Sequence, residues 1–189
     1  DSQIIDLKGA GADTLMQFTT PKFAAQGIRK VHDLGWKPLH ILASIASGIG
    51  ATLVPAGVER SKGIITARWE KLPTDPATMN DPDVVAYTAF VKKYMPSLNI
   101  EDNTAVPGYI NAFMIAHVLR RCGDDLTRES VLKQATSLKD VTPPMLLPGI
   151  TLSNSPQDYL AFHGMQLGQF DGTRWVSIGD VIKISAARR

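Results

Sequence analysis

Leu15-Met16-Gln17-Phe18-Thr19-Thr20-Pro21 decides the fold. A short, mostly apolar run predicts a buried strand, and Thr20-Pro21 predicts the start of a helix. Threonine suits a helix cap, and proline suits the first turn, where a missing N–H costs nothing. Phe23, Gly27, Ile28, Val31 and Leu34 then recur at helical spacing until Gly35 stops the run. Leu39-His40-Ile41-Leu42-Ala43 reads as a second strand, ending in a small polar loop from Ser44 to Gly50. Two consecutive strand–helix units predict a parallel sheet. Such sheets take ligands beyond the carboxyl ends of their strands. Thr19, Thr20, Ser44 and Ser47 fall there, with hydroxyls and helix-start N–H groups but no evident nucleophile-activating base. That chemistry holds a small polar molecule rather than transforming it.

Outward from this region the chain changes character. Ala51 to Val54 predicts a short helix, Gly63 to Trp69 a third strand and Phe18 a core residue. Lys71 to Pro82, with Pro73, Pro76 and Pro82, reads as a loop. Three helices follow. Val84, Tyr87, Val91, Tyr94 and Met95 face inward on the first. On the second, opened by Pro107, the inward residues are Ala112, Ile115, Ala116 and Leu119. On the third, capped by Thr127, they are Val131, Leu132, Ala135 and Leu138. No strands lie between these helices, so they need a sheet from elsewhere to cover. Asp171-Gly172 between two apolar runs is a strong hairpin signal.

The bulk numbers exclude several classes. Among 189 residues, Lys+Arg 20 against Asp+Glu 18 is too balanced for nucleic acid or a charged membrane surface as partner. No apolar run reaches the ~20 residues of a membrane span. Asp1 to Asp6 carries none of the three regions of a signal peptide. It reads as a helix entered part-way, with Ile4, Ile5 and Leu7 on one face, as expected for a chain beginning inside a larger protein. Cys122 is the single cysteine and reads as a packed, inert thiol. His32, His40, His117 and His163 lack metal-ligand spacing and read as surface or satisfied packing residues. Ser47-Gly48-Ile49-Gly50 is too short for a dinucleotide fingerprint, and Asp171-Gly172 lacks the acidic positions of a calcium loop.

Particular stretches carry a resemblance. They are Thr20 through Lys30, Leu34-Gly35-Trp36-Lys37-Pro38-Leu39, Pro73-Thr74-Asp75-Pro76, and Gly108-Tyr109 opening a long helix. Arg121 through Glu129, Leu146 through Ile150, Met165-Gln166-Leu167 and Phe170-Asp171-Gly172 continue it. In this order the chain resembles the C-terminal half of type I periplasmic substrate-binding proteins of ABC transporters, the leucine/isoleucine/valine-binding family. The resemblance implies an α/β fold of two Rossmann-like lobes with parallel sheets, represented here by a partial chain. Residues 1–69 would be part of the second lobe, 70–82 a hinge and linker, and 83–140 helices returning to the first lobe. Residues 141–162 would be a connecting loop, 163–182 the hairpin and last crossing, and 183–189 a tail.

It also implies a periplasmic protein that is not an enzyme and needs no cofactor, with a membrane permease and a small carboxylate as partners. Thr19, Thr20, Ser44, Ala46 and Ser47 would meet the ligand from one lobe. Trp69 would lie near a crossing, and Tyr109 would line the cleft from the other lobe. Amino-acid binders of this family carry a glutamate in the loop at Ser44–Ser47. Here no acid occurs between Asp33 and Glu59. Burying an ammonium without a counter-charge is costly. A carboxylate without an amine, such as a branched-chain or aromatic keto acid, therefore fits better than an α-amino acid, unless Glu70 or a residue outside the chain supplies the charge. Absent strands would leave open sheet edges, which favour homo-oligomers or strand exchange. Two alternatives stay open: an enzyme, or a ligand-sensing regulatory domain, on the same scaffold.

Overall fold

The computed structural model describes residues 2–101 and 104–183. The chain forms two compact units: residues 1–68, 97–104 and 166–180, and residues 69–96, 105–165 and 181–189. Of the expected 183–189 tail, only Lys183 lies among the described residues.

The first unit is built on a five-stranded sheet. Its strands are β1 (Thr14–Gln17), β2 (Leu39–Leu42), β3 (Ile65–Arg68), β4 (Gly164–Phe170) and β5 (Trp175–Lys183), side by side in that order. The first three are parallel, with Leu15 opposite His40 and Leu42 opposite Thr66. β4 joins β3 antiparallel, Gly168 opposite Thr66. The turn between β4 and β5 closes as the sequence predicts. The Asp171 carboxylate accepts from the backbone N–H groups of Arg174 (2.9 Å) and Thr173 (2.7 Å). These bonds hold its carboxyl below the usual range.

Helix α1 (Ser2–Gly9) precedes β1, and α2 (Pro21–Asp33) crosses from β1 to β2. A π-helical turn, Ile49–Leu53, then runs into the short helices α3 (Val54–Ala56) and α4 (Val58–Ser61). α2 buries Ala24, Ala25, Gly27, Ile28 and Val31. Leu15, Leu42, Leu53, Ile64, Phe170 and Trp175 complete the core of this unit.

Phe18 is not a core residue. It is 72% exposed, and Phe23 and Met16 are exposed with it. The reason is topological: β1 is an edge strand with a neighbour on one side only. The backbone carbonyls of Asp13 and Gln17 accept from β2 and the residue after it.

The second unit holds α5 (Pro82–Tyr94), α6 (Ala105–Cys122) and α7 (Arg128–Ala135). Val84, Tyr87 and Val91 are buried on α5, as their spacing predicts, whereas Tyr94 is exposed. The expected face of α6 is not covered. Ile115 is 62% exposed, Leu119 and Ala112 are also exposed, and burial falls on Val106, Ile110 and Cys122 instead. On α7 Leu132 is exposed, and Leu138 is buried beyond the helix end. These helices have no sheet of their own to receive an apolar stripe. Ala105, not Pro107, opens α6, with Pro107 inside the first turn. Thr127 caps α7, its hydroxyl accepting from Ser130 N–H at 3.3 Å.

A polar knot ties this unit together. Lys71 Nζ lies 2.9 Å from both Asp81 and Asp83, and Asp83 also accepts from Met145 N–H at 2.8 Å. Burial alone would raise the Asp83 pKa, but the Lys71 and backbone hydrogen bonds outweigh it and lower it. Burial would likewise lower Lys71, but the two carboxylates raise it.

Candidate functional site

Two turns stand at the carboxyl ends of β1 and β2. Residues 18–20 link β1 to α2. Thr20 sits at the cap position of α2 in extended backbone, but its side chain makes no capping bond. Its hydroxyl is therefore exposed and uncommitted, contrary to the expected cap. Thr19 differs: its Oγ1 is buried and has no hydrogen-bond partner. A buried hydroxyl without a hydrogen bond costs about 1–3 kcal/mol.

Ser44–Ala46 forms a tight 3₁₀ turn after β2. Ser44 is half-buried and Ile45 exposed. Ala46 is fully buried, and Ser47 turns its hydroxyl back to Ser44 O at 2.7 Å. Thus Thr20 is exposed and Ser44 half-buried after the two strands, the Thr19 hydroxyl is buried, and Ala46 and Ser47 form the underside of their turn. Trp69 and Tyr109 belong to the second unit. Trp69 packs edge-on against Phe162 at 4.9 Å. Tyr109 packs against Tyr87 and Phe90, each at 5.2 Å between ring centres.

Several supporting residues carry no signal that periodicity alone detects. Gln17 is buried beneath the first turn. Its Nε2 donates to Ala24 O (3.3 Å) and Phe23 O (3.4 Å) of α2. Its Oε1 then accepts from His40 Nε2 at 2.9 Å, which places the imidazole proton on Nε2. Burial lowers the His40 pKa to about 4, so it is neutral at neutral pH. On the second turn, Trp175 Nε1 donates to Ser47 O at 3.0 Å. Arg68, buried at the end of β3, donates to Trp175 O at 3.3 Å.

A cavity of about 470 Å³ lies in the same unit, lined by residues of α1, β1 and α2. It follows the open edge of β1 and shares only Thr19 with the candidate residues. It is an edge groove, not a cup around the two turns.

Of the other histidines, His163 bonds to Ser153 O at 3.0 Å, and the side chain of His32 is solvated. His117, expected to be a surface or satisfied packing residue, stacks on Phe113 at 6.4 Å between ring centres, while its buried Nε2 makes no hydrogen bond. Cys122 is buried and donates to Val118 O. Among the described residues no group of His, Cys, Asp and Glu is placed to hold a metal ion. No described helix is long and apolar enough to cross a membrane.

Parallel strands joined through helix α2 and followed by an antiparallel hairpin make the first unit an α/β structure. The chain belongs to the periplasmic binding protein family, whose sequence profile matches residues 1–174. It has the type I periplasmic-binding-protein fold, and its structural neighbours include substrate-binding proteins of ABC transporters. A branched-chain amino acid ABC transporter protein from Thermus thermophilus, solved with bound valine, superposes with a TM-score of 0.82 at 16% identity. The match covers 98% of this chain and 49% of that one. A leucine-binding protein from Thermotoga maritima gives 0.69 at 13% identity, covering 96% and 48%. A fatty acid ABC transporter substrate-binding protein from Thermomonospora curvata gives 0.68 at 20% identity, covering 96% and 46%. The chain thus spans about half the length of these solved relatives. No match was found among curated protein sequences.

Proposed function

We propose that this chain is the ligand-holding part of an extracytoplasmic solute-binding protein that captures a small carboxylate lacking an amine for an ABC importer. It would do no chemistry and would work beside a membrane permease. The observation that carries this reading is the Thr19 hydroxyl, buried without a partner beside the amino-terminal end of α2. A carboxylate accepts from hydroxyls and helix-start N–H groups. Thr20 and Ser44 would add donors, with Ala46 and Ser47 shaping the turn beneath them. The stretch without acids between Asp33 and Glu59 offers no counter-charge to an ammonium. The neighbour described as a fatty acid binder supports an amine-free ligand. A branched-chain amino acid is the second reading, favoured by the valine-bound and leucine-binding neighbours. The open β1 edge supports association of the chain with a second copy of itself.

The test is calorimetric titration with 4-methyl-2-oxopentanoate, phenylacetate and L-leucine. The keto acid or the aromatic acid should bind more tightly than leucine. Thr19→Val combined with Thr20→Ala should weaken that binding at least tenfold, on the order of one charge-assisted hydrogen bond. Unchanged affinity in the double variant would remove these residues from the site.

A further inference from the structure

The turn that carries Ser44 and Ile45 is closed by short-range bonds. Ala46 N–H donates to Ala43 O at 2.9 Å, and Ser47 N–H and Oγ both donate to Ser44 O. Bonds of this kind shape a turn without aiming it. A bond from far along the chain supplies the aim. The Trp175 indole, 128 residues away, donates to Ser47 O at 3.0 Å in a buried setting.

Trp175 is itself fixed on two further sides. Its ring, 3% exposed, packs against Phe170 at 5.5 Å. Its own carbonyl accepts from Arg68, whose side chain crosses Gly168 so closely that a Cβ there would lie 2.8 Å from Arg68 Cδ. Arg68, Gly168 and Trp175 therefore form a braced path from the end of β3, over β4, to the turn after β2.

We propose that Trp175 is a positioning residue for the ligand site: through the Ser47 carbonyl, the β4–β5 hairpin sets the direction in which Ser44 and Ile45 are presented. The indole N–H is a donor only, and nothing else in the ring replaces it. The proposal rests on the site described under the proposed function, and it predicts a property measurable without ligand.

The experiment is amide hydrogen exchange by NMR on the full chain, wild type and Trp175→Phe. Phenylalanine keeps an aromatic ring beside Phe170 and removes the donor. Exchange of the Ala46 and Ser47 amides should accelerate at least tenfold, while Ala24 to Val31 of α2 keep their rates. Unchanged exchange in the turn would overturn the proposal. Should the variant fail to fold, the wild type decides. In sub-denaturing guanidinium the Trp175 indole proton and the Ala46 and Ser47 amides should open in one event, below the free energy of opening α2. Independent openings would overturn it. Titration with 4-methyl-2-oxopentanoate and phenylacetate separates the two readings. Where the wild type binds, Trp175→Phe should bind at least fivefold more weakly, and equal affinity contradicts the positioning role. Where the wild type binds neither, the carboxylate reading fails and the exchange result still judges the turn.

Discussion

Gly27 is glycine because Gln17 fills the space a side chain would need. A Cβ at this position would fall inside the contact distance of Gln17 Nε2. Gly27→Ala should therefore destabilise the protein by about 1–3 kcal/mol, the usual cost of overpacking. Gln17→Ala in the same chain should restore part of that loss, and a double-mutant cycle by denaturant unfolding measures the coupling. His40, the other partner of Gln17, makes a pH prediction. Its pKa is about 4 in the fold against 6.5 for a free imidazole, so the unfolded chain takes the proton first. The stabilisation is complete above pH 6.5 and is lost as the pH falls toward 4, by about 3 kcal/mol in all. His40→Gln should flatten the stability profile in that window. A profile with the same slope in both proteins would assign the loss to other groups.

At the scale of elements, the knot of Lys71, Asp81 and Asp83 should behave differently. Asp83→Asn removes the charge facing Lys71 and weakens the acceptor for Met145 N–H. A loss of about 1–3 kcal/mol at neutral pH is expected from urea unfolding. The Asp83 pKa is lowered in the fold, so its stabilisation holds above the ordinary carboxylate range and disappears only as the pH drops below it. The two strand–helix units, the hairpin at Asp171-Gly172 and α5 were legible in the sequence because periodicity and turn chemistry are local. Burial of Phe18, Ile115 and Leu119 was not, since an apolar residue becomes core only where another element covers it. For the candidate site, the place of Thr19, Thr20 and Ser44 directly after two strands was legible. Gln17, Arg68 and Trp175 were not, because their roles depend on partners brought close only by the sheet.

For the molecule as a whole, the open edge of β1 has an expected consequence. Met16, Phe18 and Phe23 are exposed beside it, and residues 14–20 carry no charge to deter pairing. Sedimentation should show concentration-dependent association that Phe18→Lys reduces. A monomer at every concentration would remove the edge as a self-association site. Whether the protein holds an amine-free carboxylate is read from its melting temperature with 4-methyl-2-oxopentanoate, phenylacetate or L-leucine in excess. A ligand that binds only the native state raises it by mass action. A cooperative melt shifted upward by the keto acid or the aromatic acid, and less by leucine, is the expected result. A melt moved by leucine alone, or by none of the three, would contradict it.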